Sequence, residues 1–320
     1  MPTPGQRLQE LMKAPDIVVM PGVSNGYSAR LVEQFGFQAA ILTGAGLSES
    51  HLGWADIGLM GLEENLQASR PLIDCCDLLF LADADTGYGG PLNVYQTVRK
   101  FEKVGAAAIM IEDQVWPKRC GHLQGKQVIS AEEMAEKVKA AAEARRDPSF
   151  SIMARTDAFP LFELDEAIRR LNMYADAGAD IVFADGIYTE EHFQYVVKNT
   201  SKPLTANMSY GLTGRVEEKL ISAKRLEELG VKIVLYPRLA GGAMIQGLTN
   251  AISVLKESLN AGEVIERPDL VASFKEQNEL MGLNDILDLD RRFSTDEQNK
   301  KKYETNLDHV ANVLRSSRNF

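Results

Sequence analysis

Eight short apolar segments, each followed by a helical pattern, restrict the fold of this chain more than any other feature. The segments are 17–21, 37–43, 78–83, 106–112, 150–156, 180–185, 203–208 and 232–237. Their apolar residues are nearly continuous instead of alternating, which is typical of parallel strands buried on both faces. Eight strand–helix repeats therefore predict a (β/α)₈ barrel of the TIM type.

The intervening segments carry apolar residues at helical spacing. The predicted helix faces consist of Val94, Val98, Phe101 and Val104; of Met134, Val138 and Ala141; of Leu164, Ile168 and Leu171; and of Met244, Leu248, Ala251 and Leu255. Ser130 and Glu133 have the spacing of a capping box, and Gly178 stands where a helix C′ glycine is expected. A doubly wound open sheet is the alternative, but no GxGxxG turn follows the first segment.

The alternation of predicted strands and helices ends near residue 260. We expect a catalytic barrel over 1–260 and a C-terminal helical extension over 261–320, with amphipathic stretches around 274–281 and 303–314. This extension is too small to have a core of its own. It is therefore expected to pack on the barrel or on a neighbouring subunit.

Charge and cysteine content exclude several classes of function. The formal net charge of −10 gives no general attraction for nucleic acids or anionic membranes. No signal core and no transmembrane run is present, and Cys75, Cys76 and Cys120 lack the spacing of a zinc site. These features indicate a cytoplasmic protein, in which Cys75 and Cys76 are interpreted as core residues.

Acidic residues follow several predicted strands at the end where barrel enzymes hold their active sites. Asp83 and Asp85 follow the third strand, Glu112 ends the fourth, and Asp56 lies in the loop after the second. Converging carboxylates need a cation, and oxygen ligands suit Mg²⁺ or Mn²⁺. We expect Asp85 or Asp83 as the direct ligand, with Asp56 and Glu112 acting through water. The alternative is that these acids are helix N-caps.

The segment Lys118-Arg119-Cys120-Gly121-His122 follows the fourth strand. Two cations and a histidine beside a thiol favour the thiolate and indicate a cysteine that exchanges a proton near neutral pH. Gly121 and Gly125 suggest a loop that closes as a lid. The alternative is a solvated basic loop with an incidental cysteine.

Other polar residues end the remaining strands. Arg155 ends the fifth strand and could bind a carboxylate in bidentate fashion. Thr43, Gly44 and Ala45 could offer a hydroxyl and backbone N–H groups to an oxyanion, or could simply form a tight turn. The last three strand ends contribute Asp185, Asn207 and Arg238. Arg238 could be a helix cap, a member of a surface ion pair or a second contact to a substrate carboxylate.

Four motifs, in this order, resemble the isocitrate lyase/phosphoenolpyruvate mutase superfamily. They are Asp83-Ala-Asp-Thr-Gly-Tyr-Gly, Glu112-Asp-Gln, Lys118-Arg-Cys-Gly-His and Ala154-Arg-Thr-Asp-Ala. The resemblance covers about residues 5–260. Its cysteine loop is similar to the branch of methylisocitrate lyase, 2,3-dimethylmalate lyase, oxaloacetate hydrolase and carboxyphosphonoenolpyruvate mutase.

The resemblance implies a set of roles. Asp85, Asp83, Asp56 and Glu112 would form the Mg²⁺ site, and Thr43, Gly44 and Ala45 would bind a pyruvate-like carboxylate. Arg155 would hold the oxyanion end, Cys120 would protonate an enediolate, and Asp83, Gly121, His122, Asp185 and Asn207 would contact a di- or tricarboxylate substrate. His122 is also a catalytic candidate. The resemblance further implies a homotetramer, a dimer of dimers that exchange their C-terminal helix.

Three positions depart from the lyases of this family. Ile41 replaces a tyrosine, so a metal-bound water is expected to serve as the base. Asp185 replaces a glutamate, and an acid after Asn207 becomes Ser209 or Tyr210. These positions would contact the distal part of the substrate, so a non-standard substrate is expected.

The leading hypothesis is a Mg²⁺-dependent carbon–carbon lyase that cleaves a substituted malate or isocitrate to a 2-oxo acid and a carboxylic acid. The retro-aldol step needs a base, a cation and a proton donor. Oxaloacetate hydrolysis and carbon–phosphorus chemistry are the alternatives, because both would use the same barrel and the same metal site. A catalytically inactive binding barrel is the alternative from another class.

Overall fold

The computed structural model describes residues 1–121, 123–209 and 220–304. Eight parallel strands close into a barrel in which each strand pairs with the next and β8 pairs with β1. The strands are β1 (Val18–Val23), β2 (Ala39–Leu42), β3 (Leu79–Asp83), β4 (Ala108–Glu112), β5 (Ser151–Thr156), β6 (Ile181–Ala184), β7 (Leu204–Asn207) and β8 (Ile233–Tyr236). The predicted (β/α)₈ barrel is confirmed.

Strand residues pack in two directions, which explains the continuous apolar runs. One buried cluster, which includes Met20, Ile41 and Leu81, fills the barrel interior. A second cluster, which includes Leu42 and Phe80, packs against the surrounding helices. Because both faces of each strand are buried, neither needs polar residues. All eight predicted segments contain a strand, and β1 extends two residues beyond its predicted end.

Helices alternate with the strands. They are α1 (Pro4–Lys13), α2 (Gly26–Gln34), α3 (Gly44–Leu47), α4 (Leu62–Asp74), α5 (Pro91–Lys103), α6 (Ala131–Ala144), α7 (Leu164–Asp176), α8 (Glu190–Asn199), α9 (Ala223–Glu228) and α10 (Leu239–Ala261). Ser130 caps α6 by accepting a bond from the N–H of Glu133 at 3.1 Å. The return bond from the Glu133 side chain is not formed, so half of the predicted capping box is present. Gly178 has φ 113°, as its predicted position after α7 requires.

The chain divides by its internal contacts into two compact units, 1–253 and a second that begins at Val254 within α10. The second unit contains α11 (Phe274–Leu280), α12 (Leu283–Phe293), α13 (Asp296–Asn299) and a π-helical turn, Lys300–Glu304. The predicted helix at 274–281 is confirmed, α12 was not predicted, and most of the predicted stretch 303–314 lies outside the described residues. Among the residues that the structure describes, we find no helix with both the length and the hydrophobicity of a membrane span.

Candidate active site

A pocket opens at the carboxyl ends of the strands. It is lined by Ile41, Thr43, Ala45, Asp56, Asp83, Met110, Lys118, Cys120, Gly121, Arg155, Phe183, Asp185, Asn207, Leu235, Pro237 and Arg238. Most of the predicted site residues therefore meet in one place. Gly44, Asp85 and Glu112 lie next to it through contacts described below. His122 and Tyr210 lie outside the described residues.

Asp83 lines this pocket, and Asp85 lies beside it against the turn after β2. The backbone N–H groups of Gly44 and Asp85 donate to the Asp83 carboxylate at 3.2 and 3.1 Å. A β-carbon built on Gly44 would stand 2.9 Å from Oδ2 of Asp83 and 3.2 Å from Oδ1 of Asp85. The turn thus approaches the acids so closely that a larger residue at this position would have to displace their carboxylates. In this arrangement the Gly44 amide is occupied by Asp83.

Lys118 lies among the acids. Its ammonium nitrogen is 2.7 Å from Asp56 Oδ1 and 2.8 Å from Asp85 Oδ1, and all three side chains are almost fully buried. Burial, together with Asp83 and Asp56, raises the pKa of Asp85 to about 7 although Lys118 opposes this. Asp85 also has φ 49°, a backbone conformation that is uncommon for residues other than glycine. A strained acid with a raised pKa marks a site that is organised for chemistry.

Glu112 completes the acid group. Its side chain is 2% exposed, and Oε2 lies 3.3 Å from Nη1 of Arg155. Oε1 is buried without a hydrogen-bond partner in the described chain. Burial raises the pKa of Glu112 well above its ordinary value, against the effect of Arg155 and Lys118. A buried carboxylate oxygen without a partner is costly, and a cation or its water would satisfy it.

The four acids do not form a preassembled metal cage. Within 1–121, 123–209 and 220–304, no three His, Cys, Asp or Glu side chains stand together as a metal-binding group. Mg²⁺ commonly uses one or two carboxylates and keeps several waters, so a dense cage is not required. The oxygen donors, the partnerless Oε1 of Glu112 and the raised pKa of Asp85 fit such an ion.

The loop that carries Cys120 is docked over the pocket. Gln114 Oε1 accepts from the N–H of Arg119 at 3.0 Å, and Gln114 Nε2 donates to its carbonyl at 2.9 Å. The N–H of Cys120 donates to the carbonyl of Asp56 at 3.1 Å, which links this loop to the loop after β2. At its base, Gln114 and Val128 form an isolated antiparallel bridge. The cysteine is therefore held in place by backbone contacts on both sides.

Gly121 makes the closest approach of this loop to the strands below. A β-carbon built on it would stand 2.0 Å from Asp185 Oδ2 and 2.6 Å from Arg155 Nη2. Lys126, which is 8% exposed, donates to the Gly121 carbonyl at 2.7 Å and to Asp157 Oδ1 at 2.9 Å. Glycine is thus required because the loop backbone rests on side chains at the barrel mouth.

Arg155 is already surrounded by carboxylates. Its Nε and Nη2 donate to the two oxygens of Asp157 at 2.8 and 2.9 Å, and Nη2 also donates to Asp185 Oδ2 at 3.0 Å. Glu112 lies on the remaining side. Burial would raise the pKa of Asp157, but Arg155 and Lys126 outweigh it and lower the pKa to about 2. The guanidinium therefore compensates the charges of three carboxylates at the barrel mouth, those of Asp157, Asp185 and Glu112.

Cys120 faces the pocket beside a second arginine. Nη2 of Arg238 donates to the Cys120 sulfur at 3.3 Å, and Nη1 of Arg238 donates to Glu49 Oε1 at 2.8 Å. Glu49 lies in the π-helical turn Ser48–Leu52 that follows α3. The thiol thus has a cation in contact that is distant from it in the sequence.

The remaining wall contains the positions where the sequence departs from the family pattern. Ile41 is 2% exposed and offers no base. Asn207 Oδ1 accepts a bond from the hydroxyl of Ser209 at 2.9 Å, and Ser209 is itself buried. Asp185 Oδ1 is buried with no hydrogen-bond partner among the described residues, while Oδ2 contacts Arg155.

Sequence reasoning missed Lys126, Glu49 and Phe183. Lys126 lies in the loop after β4 and Glu49 in the short π-helical turn after α3, and charged residues in such connecting segments usually face water. Phe183 stacks under Arg155 with its ring centre 5.4 Å from the guanidinium carbon. Its position two residues before the end of the sixth segment was the one available signal, because alternate strand residues face the barrel interior.

Comparison with known proteins identifies the class of this barrel. The family model described as phosphoenolpyruvate phosphomutase matches residues 8–256. The chain is 37% identical to the 2,3-dimethylmalate lyase of Eubacterium barkeri over 289 residues, which cover 90% of this chain and 98% of that protein. It is 40% identical to the 2-methylisocitrate lyase of Aeropyrum pernix over 283 residues, covering 88% of each. Among solved structures, oxaloacetate acetylhydrolase bound to 3,3-difluorooxalacetate superimposes with a TM-score of 0.83 at 28% identity, covering 90% of this chain and 96% of that one.

A (β/α)₈ barrel with these motifs at its strand ends is an enzyme of the lyase type. The chain belongs to the isocitrate lyase/phosphoenolpyruvate mutase superfamily. The predicted family and enzyme class are thereby confirmed.

Proposed function

We propose that this enzyme cleaves a substituted malate or isocitrate into a 2-oxo acid and a carboxylic acid. The observation that carries the proposal is the position of Cys120. Cys120 lines the same pocket as Asp56 and Asp83, in a loop held by Asp56 and Gln114. The similarity to a 2,3-dimethylmalate lyase and a 2-methylisocitrate lyase supports this substrate class.

We propose the following roles for the residues of the pocket. The Cys120 thiol would give its proton to the carbon released by cleavage, and the docked loop would exclude water from that carbanion. The 2-oxo acid would lie beside Thr43, Gly44 and Ala45. The departing acid would lie beside Asp185 and Asn207. Arg155 would hold the carboxylates between these two positions. His122 would contribute from the same loop.

Mg²⁺, or Mn²⁺ in its place, is proposed as the cofactor. Asp85 or Asp83 would hold it directly, and Asp56 and Glu112 would hold it through water. When bound, the ion would stabilise negative charge on the oxygens of the 2-oxo acid.

A substrate panel tests the proposal. The protein with Mg²⁺ would be incubated with 2-methylisocitrate and with 2,3-dimethylmalate, and the released 2-oxo acid would be measured. We expect turnover with at least one of them and a loss of about 10²–10⁴-fold in Cys120→Ser, because a positioned acid contributes about that much. Cys75→Ser is the matched control, since Cys75 is half-buried at the end of α4, away from the pocket lining. No product from any member of the panel would refute the proposal.

Oxaloacetate hydrolysis is the second candidate, and the similarity to oxaloacetate acetylhydrolase favours it. Acetate and oxalate formed from oxaloacetate would identify this reaction, and phosphorus NMR on phosphonopyruvate would identify carbon–phosphorus chemistry. A binding barrel without catalysis is the remaining alternative. It predicts no turnover and no magnesium-dependent thermal shift with 2-oxo acids.

We further propose that the enzyme is cytoplasmic and forms a homotetramer. Each tetramer would consist of two dimers whose subunits exchange a helix of the C-terminal extension, which we place at 261–320. No residue of α10 is buried, and Ile245, Leu248 and Ile252 are each more than 60% exposed. Such an apolar helix face is costly in water, and a second copy of this chain would cover it. Analytical ultracentrifugation of wild type and Leu248→Asp tests this, with a smaller species expected for the variant. The three free cysteines suit a reducing compartment.

A further inference from the structure

Arg238 stands at the rim of the pocket directly after β8. Its side chain is 29% exposed, and its partners are Glu49 at 2.8 Å and the Cys120 sulfur at 3.3 Å. The guanidinium therefore bridges the turn after α3 and the loop after β4. No motif used to recognise the family includes this residue.

The other cations around the pocket are more fully compensated. Arg155 contacts the carboxylates of Asp157, Asp185 and Glu112, and all three are almost fully buried. Lys118 is held by Asp56 and Asp85 and is 4% exposed.

Arg238, by contrast, has one carboxylate partner within the part of the chain that the structure describes, and the side chain of that partner, Glu49, is 36% exposed. An exposed partner is easily replaced, because water can solvate it once it is released. Arg238 is thus the pocket cation best able to accept a new carboxylate.

The chemistry of cleavage requires a carboxylate close to Cys120. A base takes the hydroxyl proton, the carbon–carbon bond breaks, and a carbonyl forms on the 2-oxo acid. The electron pair of the broken bond stays on the carbon of the departing carboxylic acid. It is delocalised into the carboxylate attached to that carbon. Cys120 then transfers its proton to that carbon, and its sulfur keeps the electron pair. The carboxylate that takes up this charge is one bond from the carbon that Cys120 must reach.

We propose that Arg238 is a catalytic residue that binds the carboxylate on the carbon protonated by Cys120, exchanging Glu49 for it. The inference rests on the proposed lyase function and deepens it. The substrate must therefore carry a carboxylate on the carbon that leaves with the departing acid and is protonated by Cys120. The guanidinium neutralises negative charge that appears only as cleavage proceeds. A cation positioned at such developing charge lowers the barrier because it stabilises the transition state more than the bound substrate.

Binding of two probes separates the two halves of the pocket. Oxalate, a planar dicarboxylate that chelates divalent cations, reports on the acid-lined half, and succinate reports on the half beside Cys120. Wild type with Mg²⁺ and saturating oxalate would be titrated with succinate in a calorimeter. In Arg238→Met we expect at least a tenfold rise in the Kd of succinate and less than a twofold change in the Kd of oxalate. Arg238→Lys should recover part of the affinity, since it keeps the charge and loses the planar fork.

Two further variants complete the test. Glu49→Gln removes the resting partner and leaves the guanidinium free, so succinate should bind at least threefold more tightly. Arg225→Met is the matched control, because Arg225 is an exposed arginine on α9 that pairs with Glu190 and Glu228. Its affinities should equal those of wild type.

Three results would overturn the proposal: unchanged succinate affinity in Arg238→Met, weaker succinate binding in Glu49→Gln, or no succinate binding by wild type. Each leaves the lyase function standing, because release of a 2-oxo acid from the substrate panel tests that function separately. Conversely, a protein that binds succinate through Arg238 but turns over no substrate would retain this site and lose the proposed reaction.

Discussion

Lys126 donates a 2.7 Å hydrogen bond to the carbonyl of Gly121, and the same ammonium group lies 2.9 Å from Asp157 Oδ1. A buried lysine thus ties the loop that carries Cys120 to the end of β5. The contacts of Gln114 and Asp56 hold the same loop from its other side.

Removal of this tie should open the loop. In Lys126→Met the Gly121 carbonyl loses its donor and Asp157 loses a cation. We expect kcat/KM to fall at least tenfold and trypsin to cut more rapidly after Lys118 or Arg119. Lys139→Met is the control, because Lys139 is an exposed residue of α6 that pairs with Glu136. Equal cleavage rates in both variants and wild type would refute the role of Lys126.

A methyl group at position 121 should also prevent docking of the loop. The added carbon would overlap Asp185 Oδ2 at 2.0 Å, so the backbone must move away from the barrel mouth. Gly121→Ala should lower turnover by about 10²-fold, as small misplacements of catalytic groups do, while the melting temperature stays near that of wild type. Gly26→Ala, where a β-carbon meets nothing within 4 Å, should keep full activity. Full activity in Gly121→Ala would contradict this account.

Acid stability should report on Asp157. Its folded pKa of about 2 lies below the ordinary value of 3.8, so it stabilises the fold above pH 4 and loses this contribution as the pH falls toward 2. The shift corresponds to about 2 kcal/mol. Urea unfolding of Asp157→Asn should therefore show a free energy of unfolding that falls less steeply than that of wild type between pH 4 and 2. Parallel curves would show that Asp157 is not held by Arg155 and Lys126.

Asp85 should behave in the opposite sense. Its folded pKa of about 7 lies above the ordinary 3.8, so its ionised form opposes folding as the pH rises from 4 to 7. Without metal, Asp85→Asn should melt several degrees higher than wild type at pH 8, and the difference should vanish near pH 4. Addition of Mg²⁺ should raise the melting temperature of wild type and leave Asp85→Asn unchanged. An equal magnesium shift in both proteins would exclude Asp85 as the direct ligand and leave Asp83.

The barrel could be predicted because its signals are local. A parallel strand buried on both faces must be apolar throughout, so segments such as 78–83 and 150–156 are recognisable without any knowledge of their neighbours. The same strands place Asp83, Glu112 and Arg155 at one end, since all eight run in the same direction. Cys120 was recognised from its neighbours in the loop.

The sequence by itself therefore determined the barrel, the family and the residues gathered at its mouth. Only the tertiary structure decided how their charges are paired. It pairs Lys126 with Asp157, which is 31 residues away, and Arg238 with Glu49, 189 residues away. Among the described residues, it also shows that Arg155 is compensated by three carboxylates while Arg238 has one carboxylate partner, the exposed Glu49. The physical reason is that an electrostatic interaction depends on distance and burial in space, and closure of the barrel brings together loops whose separation along the chain carries no record of that contact.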